Sequence, residues 1–115
     1  MRPNIWISAV VTCLFFSYPL QPVSAASKSG GQLMKQCQIS NNLAVIVCHI
    51  YIHAVLDVLA DDPVRGYRVC VPADTDIDQS VKVFVNWLSK HAEEDHKPAS
   101  DVIAHALSEA YPCTR

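Results

Sequence analysis

Four cysteines spread over the last 90 or so residues constrain this chain more than any other feature. They are Cys37, Cys48, Cys70 and Cys113. No two of them form the close Cys-x-x-Cys pair that a structural zinc site uses. An even count without metal spacing reads as two disulfides, provided the chain reaches an oxidising compartment. The N-terminus supplies that condition. Met1-Arg2-Pro3-Asn4 carries one positive charge, Ile5 to Leu20 is apolar and uncharged, and Gln21-Pro22-Val23-Ser24-Ala25 places small residues at Val23 and Ala25. A charged start, an apolar middle and a small-residue end define a secretory signal. Residues 1–25 are therefore expected to be a cleaved signal peptide, and 26–115 a single exported domain. A retained anchor is disfavoured because the apolar run is shorter than the ~20 residues of a spanning helix. Cys13 follows Thr12, where a lipidation site wants a small Gly, Ala or Ser.

A domain this short buries only ~60–65% of its unfolded surface, so its core alone is marginal. The cross-links are the expected supplement. Once the signal with its Arg2 is removed, 8 basic residues face 11 acidic ones, a formal charge of −3. There is no basic run, which argues against nucleic acid as a partner. No membrane association is expected after signal cleavage.

Hydrophobic periodicity predicts helices only. Ser27 to Gly31 is small and polar and reads as a flexible start. Gln32 to Gln38 reads as a short helix carrying Cys37. Ser40-Asn41-Asn42 offers capping side chains for the next helix. Leu43 to Ala60 is apolar almost all round, with His49, His53 and Asp57 recurring every four residues as one narrow polar stripe. Such a helix is expected to be buried among its neighbours. A membrane span is the rival reading, but a central Asp costs ~2.5–3.5 kcal/mol there. Asp61-Asp62-Pro63, Gly66 and Pro72 mark a loop to about Asp74. Thr75 reads as the next cap, with Asp78 three residues on. The aspartates at 74, 76 and 78 suit a helix N-terminus. A calcium loop would need Gly and Glu where Gln79 and Val85 stand. Ile77, Val81, Phe84, Val85 and Leu88 keep helical spacing to about His91. Ala92 to Lys97 reads as a solvated turn, and Pro98 opens a last helix with Ala99, Val102, Ile103, Ala106, Leu107 and Ala110 inward. Tyr111-Pro112-Cys113 ends it.

Four cysteines allow three connectivities. A short turn between the last two helices makes them antiparallel. That returns Cys113 to the start of the third helix, beside Cys70, and leaves Cys37 to pair with Cys48. The expected fold is all-α, a small bundle of four to five helices cross-linked by two disulfides.

Little in the chain asks to be an active site. His49 and His53 have a zinc-compatible spacing, but a third ligand from His91, His96 or His105 is not placed by the sequence. No Glu adjoins His49 as a metalloprotease motif requires. Bonded cysteines make poor nucleophiles, and no serine elbow or phosphate loop is present. No catalytic residue, metal or cofactor is assigned. Two connections stand out as candidate partner-binding surface. One holds Asp61, Asp62, Arg65, Tyr67 and Arg68, a Tyr flanked by Arg residues being the composition of a binding hot spot. The other is the acidic turn with Glu93, Glu94 and His96.

The ordered landmarks Cys48-His49-Ile50-Tyr51 with Asp57, Cys70-Val71-Pro72, Gln79, Trp87-Leu88, His96-Lys97-Pro98-Ala99, Ala106-Leu107 and Tyr111-Pro112-Cys113 resemble the Rap/Tai family of type VI secretion immunity proteins. The resemblance spans about Gln32 to Cys113. It implies a periplasmic, non-enzymatic homodimer that blocks the Cys-His site of an injected peptidoglycan amidase. One departure is that Ile50 and Ala54 stand where the family often has glycine. Two other readings compete. An Hde-type acid-stress chaperone is also small, helical and disulfide-bonded, but usually has one disulfide and more lysine. A metal-binding periplasmic protein would use His49, His53 and Asp57.

Overall fold

The computed structural model describes residues 27–114. The proposed signal peptide and its cleavage point after Ala25 lie outside the described residues. Four helices carry the fold: α1 Gly30–Gln38, α2 Asn42–Asp61, α3 Ile77–Lys90 and α4 Ala99–Ala110. A single 3-10 turn, Ala92–Glu94, joins α3 to α4, and no named strand occurs among the described residues. The all-α class follows from the sequence periodicity, since every apolar stripe long enough to define an element repeats at helical spacing.

The segment before α1 is anchored, contrary to a flexible start. Ser29 caps α1 in a reciprocal capping box with Gln32. The Gly30 and Gly31 amides donate to the Lys97 and Asp95 carbonyls at 2.8 and 2.9 Å, and the Ala99 amide donates to the Lys28 carbonyl at 2.8 Å. The glycines make this approach possible: a Cβ at Gly30 would lie 2.9 Å from Val102 Cγ2. Two other caps are side-chain oxygens accepting from backbone amides. Asn41 accepts from Leu43 N, and Asp76, not Thr75, accepts from Gln79 N at 2.8 Å. Asp76 supplies a carboxylate at the positive end of α3, which favours it over a hydroxyl.

α4 is the hub. Ala99, Val102, Ile103, Ala104, Ala106 and Leu107 are all buried, meeting Leu33 of α1, Ile52 of α2 and Phe84 and Leu88 of α3. Each fully buried Leu, Ile or Phe stabilises by roughly 1.5–3 kcal/mol relative to exposure. The small side chains of α4 let three helices approach it at once.

α2 departs from expectation. Only Cys48, Ile52 and Leu59 of its 20 residues are buried. Leu43, Ile46, Ile50 and Val58 are 52–69% exposed. The three other helices cover one side of α2 and leave its other apolar side uncovered. Disulfides join Cys37 to Cys48, between α1 and α2, and Cys70 to Cys113, between the long loop and the chain end. The Cys70 amide also donates to the Tyr111 carbonyl at 2.9 Å, so sulfur and backbone hold the same junction.

Candidate protein-binding site

The loop after α2 is shaped by one tight turn. Asp61 is the last residue of α2, and the Asp62 amide still donates to the Val58 carbonyl at 3.1 Å. Val64 and Tyr67 then exchange both backbone hydrogen bonds, at 3.1 and 2.8 Å. The two residues between them, Arg65 and Gly66, have φ of 51° and 83°. Positive φ at both central positions is the pattern of a two-residue hairpin turn, and at the second of them glycine is the natural choice. Arg65 adopts it despite its Cβ, a conformation that usually marks a constrained position.

The constraint comes from α4. Arg65 Nε lies 3.3 Å from Asp101 Oδ1. The Tyr67 ring stacks on His105 with centroids 4.7 Å apart. Next to His105 stands Trp87, at 4.6 Å in a tilted arrangement, and His91 stacks on the indole at 4.0 Å. The Trp87 Nε1–H donates to Glu109 Oε2 at 2.7 Å, and His105 Nε2 lies 3.1 Å from Glu109 Oε1. Glu109 thus fixes both rings that support Tyr67. With Arg65 exposed and Asp101 half-buried, the ion pair contributes about 1 kcal/mol, a size similar to that of the aromatic stack, and the two brace the turn together.

The acidic turn meets this hairpin. Arg65, Tyr67, Glu94, Lys97, Asp101 and His105 line one open cleft of ≈ 290 Å³. Lys97 Nζ lies 2.6 Å from Glu94 Oε2. That hydrogen bond, together with the Lys97 charge, holds the Glu94 carboxyl below its ordinary value and lifts the Lys97 ammonium above its own. Of the residues singled out in the sequence, Arg65, Tyr67 and Glu94 converge here. Asp61, Asp62, Arg68, Glu93 and His96 are exposed but do not line the cleft. Asp101, His105 and Glu109 were missed as supports. Their signal was present, a charged or titratable residue at every fourth position of a helix whose other polar residues are two serines.

The histidines of α2 are otherwise engaged. His49 Nε2 is 3.2 Å from Asp78 Oδ1, and His53 Nδ1 is 3.5 Å from Asp57 Oδ2. The two imidazoles are therefore held in separate pairs. Among the described residues no three His, Cys, Asp or Glu side chains are grouped to hold a metal ion. The cleft offers a rigid tyrosine and both signs of charge, which suits recognition of a protein surface.

A family model described as Rap1a immunity proteins matches residues 29–113. That stretch runs from the cap of α1 to the second cysteine of the last disulfide. No curated protein and no solved structure matches the chain.

Proposed function

The chain belongs to the family of Rap1a immunity proteins, and from that premise we propose that it binds and blocks one peptidoglycan amidase delivered by type VI secretion. Immunity proteins of this kind are generally non-enzymatic, and their role is to bind a cognate effector. In this reading residues 1–25 direct export and are removed, residues 26–115 form the immunity domain, and the protein acts in the periplasm as a homodimer. The partner-binding surface comprises Asp61, Asp62, Arg65, Tyr67, Arg68, Glu93, Glu94 and His96, with the Tyr67 hairpin at its centre.

The observation that carries this reading is the braced hairpin. Its turn is fixed by paired backbone hydrogen bonds, and its tyrosine is already stacked on α4. A loop held in place before encounter loses little conformational entropy on binding. The net negative charge steers the protein toward a basic surface around the effector's site.

The test uses protein purified from periplasm after expression of the full chain, assayed against an amidase encoded beside it. The expected result is stoichiometric inhibition of cross-link hydrolysis. Tyr67→Ala should weaken the complex at least tenfold with an unchanged circular dichroism spectrum, as loss of a central aromatic anchor does. Equal inhibition by Tyr67→Ala and the native protein removes the hairpin from the interface. Absence of any complex with the neighbouring amidase refutes the proposed target.

A further inference from the structure

We infer that the groove between the C-terminal half of α2 and the segment 69–77 binds an extended stretch of another protein, one with an aliphatic residue and a Lys or Arg two positions apart. The groove shares no lining residue with the Tyr67 cleft. It consists of two open hollows. The first, of ≈ 530 Å³, is walled by Leu56, Leu59 and Ala60 of α2 and by Val69, Val71 and Pro72 of the loop. The second, of ≈ 330 Å³, adjoins it across Leu56 and Val71 and reaches His53 and Asp76, the cap of α3.

The backbone of the loop selects an extended occupant. Arg68, Cys70 and Pro72 are exposed, whereas Val69 is buried and Val71 half-buried. Alternation of this kind is the pattern of an extended chain, and Pro72 restricts Val71 to the same region. The Cys70 amide donates to the Tyr111 carbonyl at 2.9 Å. In an extended run the neighbouring amides face the other way, and those of Val69 and Val71 join no backbone hydrogen bond among the described residues. An incoming strand can bond there, main chain to main chain, with alternate side chains directed into the hollows. Along α2 the groove runs from His53 to Ala60, about 10 Å at ~1.5 Å per residue, the span of roughly three extended residues. Residues two positions apart on such a strand point the same way and stand about 7 Å apart, so one enters each hollow.

Charge selects the two side chains. The first hollow is apolar apart from Asp57 and the Cys70 disulfide, and it takes the aliphatic residue. The second presents the Asp76 carboxylate, and among the described residues no Lys or Arg lines either hollow. α2 adds to the negative field. Its last turn holds no basic residue, and Asp57 and Asp61 stand toward the end where the helix dipole is already negative. Carboxylates in that position oppose the dipole, a local conflict of the kind expected at functional surfaces. The His53–Asp57 contact, at 3.5 Å, is long for a hydrogen bond and leaves the carboxylate open to a cation.

The test is a titration of the isotope-labelled periplasmic protein with two capped peptides, Ala-Lys-Ala-Leu-Ala-Lys-Ala and Ala-Glu-Ala-Leu-Ala-Glu-Ala, followed by amide chemical shifts. The lysine peptide should move the Val69, Val71 and Ala60 amides, approach saturation by about 10 mM, and bind at least about tenfold more tightly than the glutamate peptide. Ala60→Phe, at an exposed position, should fill the first hollow and abolish these shifts while the helical spectrum stays native. Equal binding of the two peptides, shifts that survive Ala60→Phe, shifts confined to other residues, or no shifts by about 10 mM overturns the inference. Shifts of the same amides that grow with protein concentration in the absence of peptide would put a second copy in the groove and overturn it too. No amidase enters the test, so its outcome is independent of the effector proposed above.

Discussion

Removing the Cys70–Cys113 bond measures how far this small body depends on its cross-links. The perturbation is the double substitution Cys70→Ala/Cys113→Ala, which leaves no free thiol to react. The bond spans 43 residues, and loop-closure entropy assigns it about 4 kcal/mol. The Cys37–Cys48 bond spans 11, and the same relation gives about 3 kcal/mol. Burial then narrows the gap. Cys70 is exposed and Cys113 half-buried, so truncating them costs little packing. Cys48 is 1% exposed within the core, and removing its sulfur leaves a void costing on the order of 1 kcal/mol more. Each double variant should therefore lose about 4 kcal/mol, for different reasons. A domain of this size has only roughly 5–13 kcal/mol in all. At about 4–8 °C per kcal/mol, thermal midpoints should fall by roughly 15–30 °C. The assay is circular dichroism at 222 nm on heating, checked for reversibility. A fall of less than about 5 °C for Cys70→Ala/Cys113→Ala refutes the entropic reasoning. So does a loss at Cys37 and Cys48 twice that at the other pair.

Two further predictions follow from the anchored start of α1 and the cleft. Gly30→Ala should destabilise by about 1–3 kcal/mol, because the new methyl group meets the buried Val102 at 2.9 Å and neither side can yield easily; a raised melting temperature would contradict this. In the cleft, the Glu94 carboxyl should titrate below its ordinary 4.5 by side-chain NMR, and Lys97→Met should move it upward. A depressed carboxyl contributes above its unfolded value and is lost as pH falls through the folded one, whereas the raised Lys97 contributes below 10.5 and is lost as pH rises through its own folded value. The pair thus braces the turn between those limits, and a Glu94 midpoint at or above 4.5 would show it unpaired.

The helices were legible because their signals are local. Capping residues, the spacing of Val81, Phe84, Val85 and Leu88, and the Tyr-Pro stop at the end of α4 act within a turn or two. The disulfide partners were legible through one tertiary step, since antiparallel packing of α3 and α4 returns the chain end to Cys70. The anchoring of Gly30 and Gly31 was not, because the carbonyls they bond, on Lys97 and Asp95, lie more than 60 residues away in sequence. At the candidate site, composition found Arg65 and Tyr67, and φ-tolerant Gly66 marked the turn. The supports on α4 were not legible, because the fourfold spacing of Asp101, His105 and Glu109 does not say what packs over them. Only the fold shows that this stripe lies under Tyr67 and Trp87.

The largest divergence, at α2, has a cause that bears on function. Apolar residues on every side of a helix state that water should be excluded from every side. They do not state which chain supplies the covering atoms. Within one copy, α1, α3 and α4 cover the side with Cys48, Ile52 and Leu59, and the disulfide to Cys37 holds α1 there. The apolar pattern predicts a helix buried all round, and the structure covers only one side of it. The polar row of His49, His53 and Asp57 runs beside the exposed apolar row, with His49 paired to Asp78 and His53 to Asp57. A helix left in this state by its own chain presents the kind of exposed apolar face that marks an interaction surface.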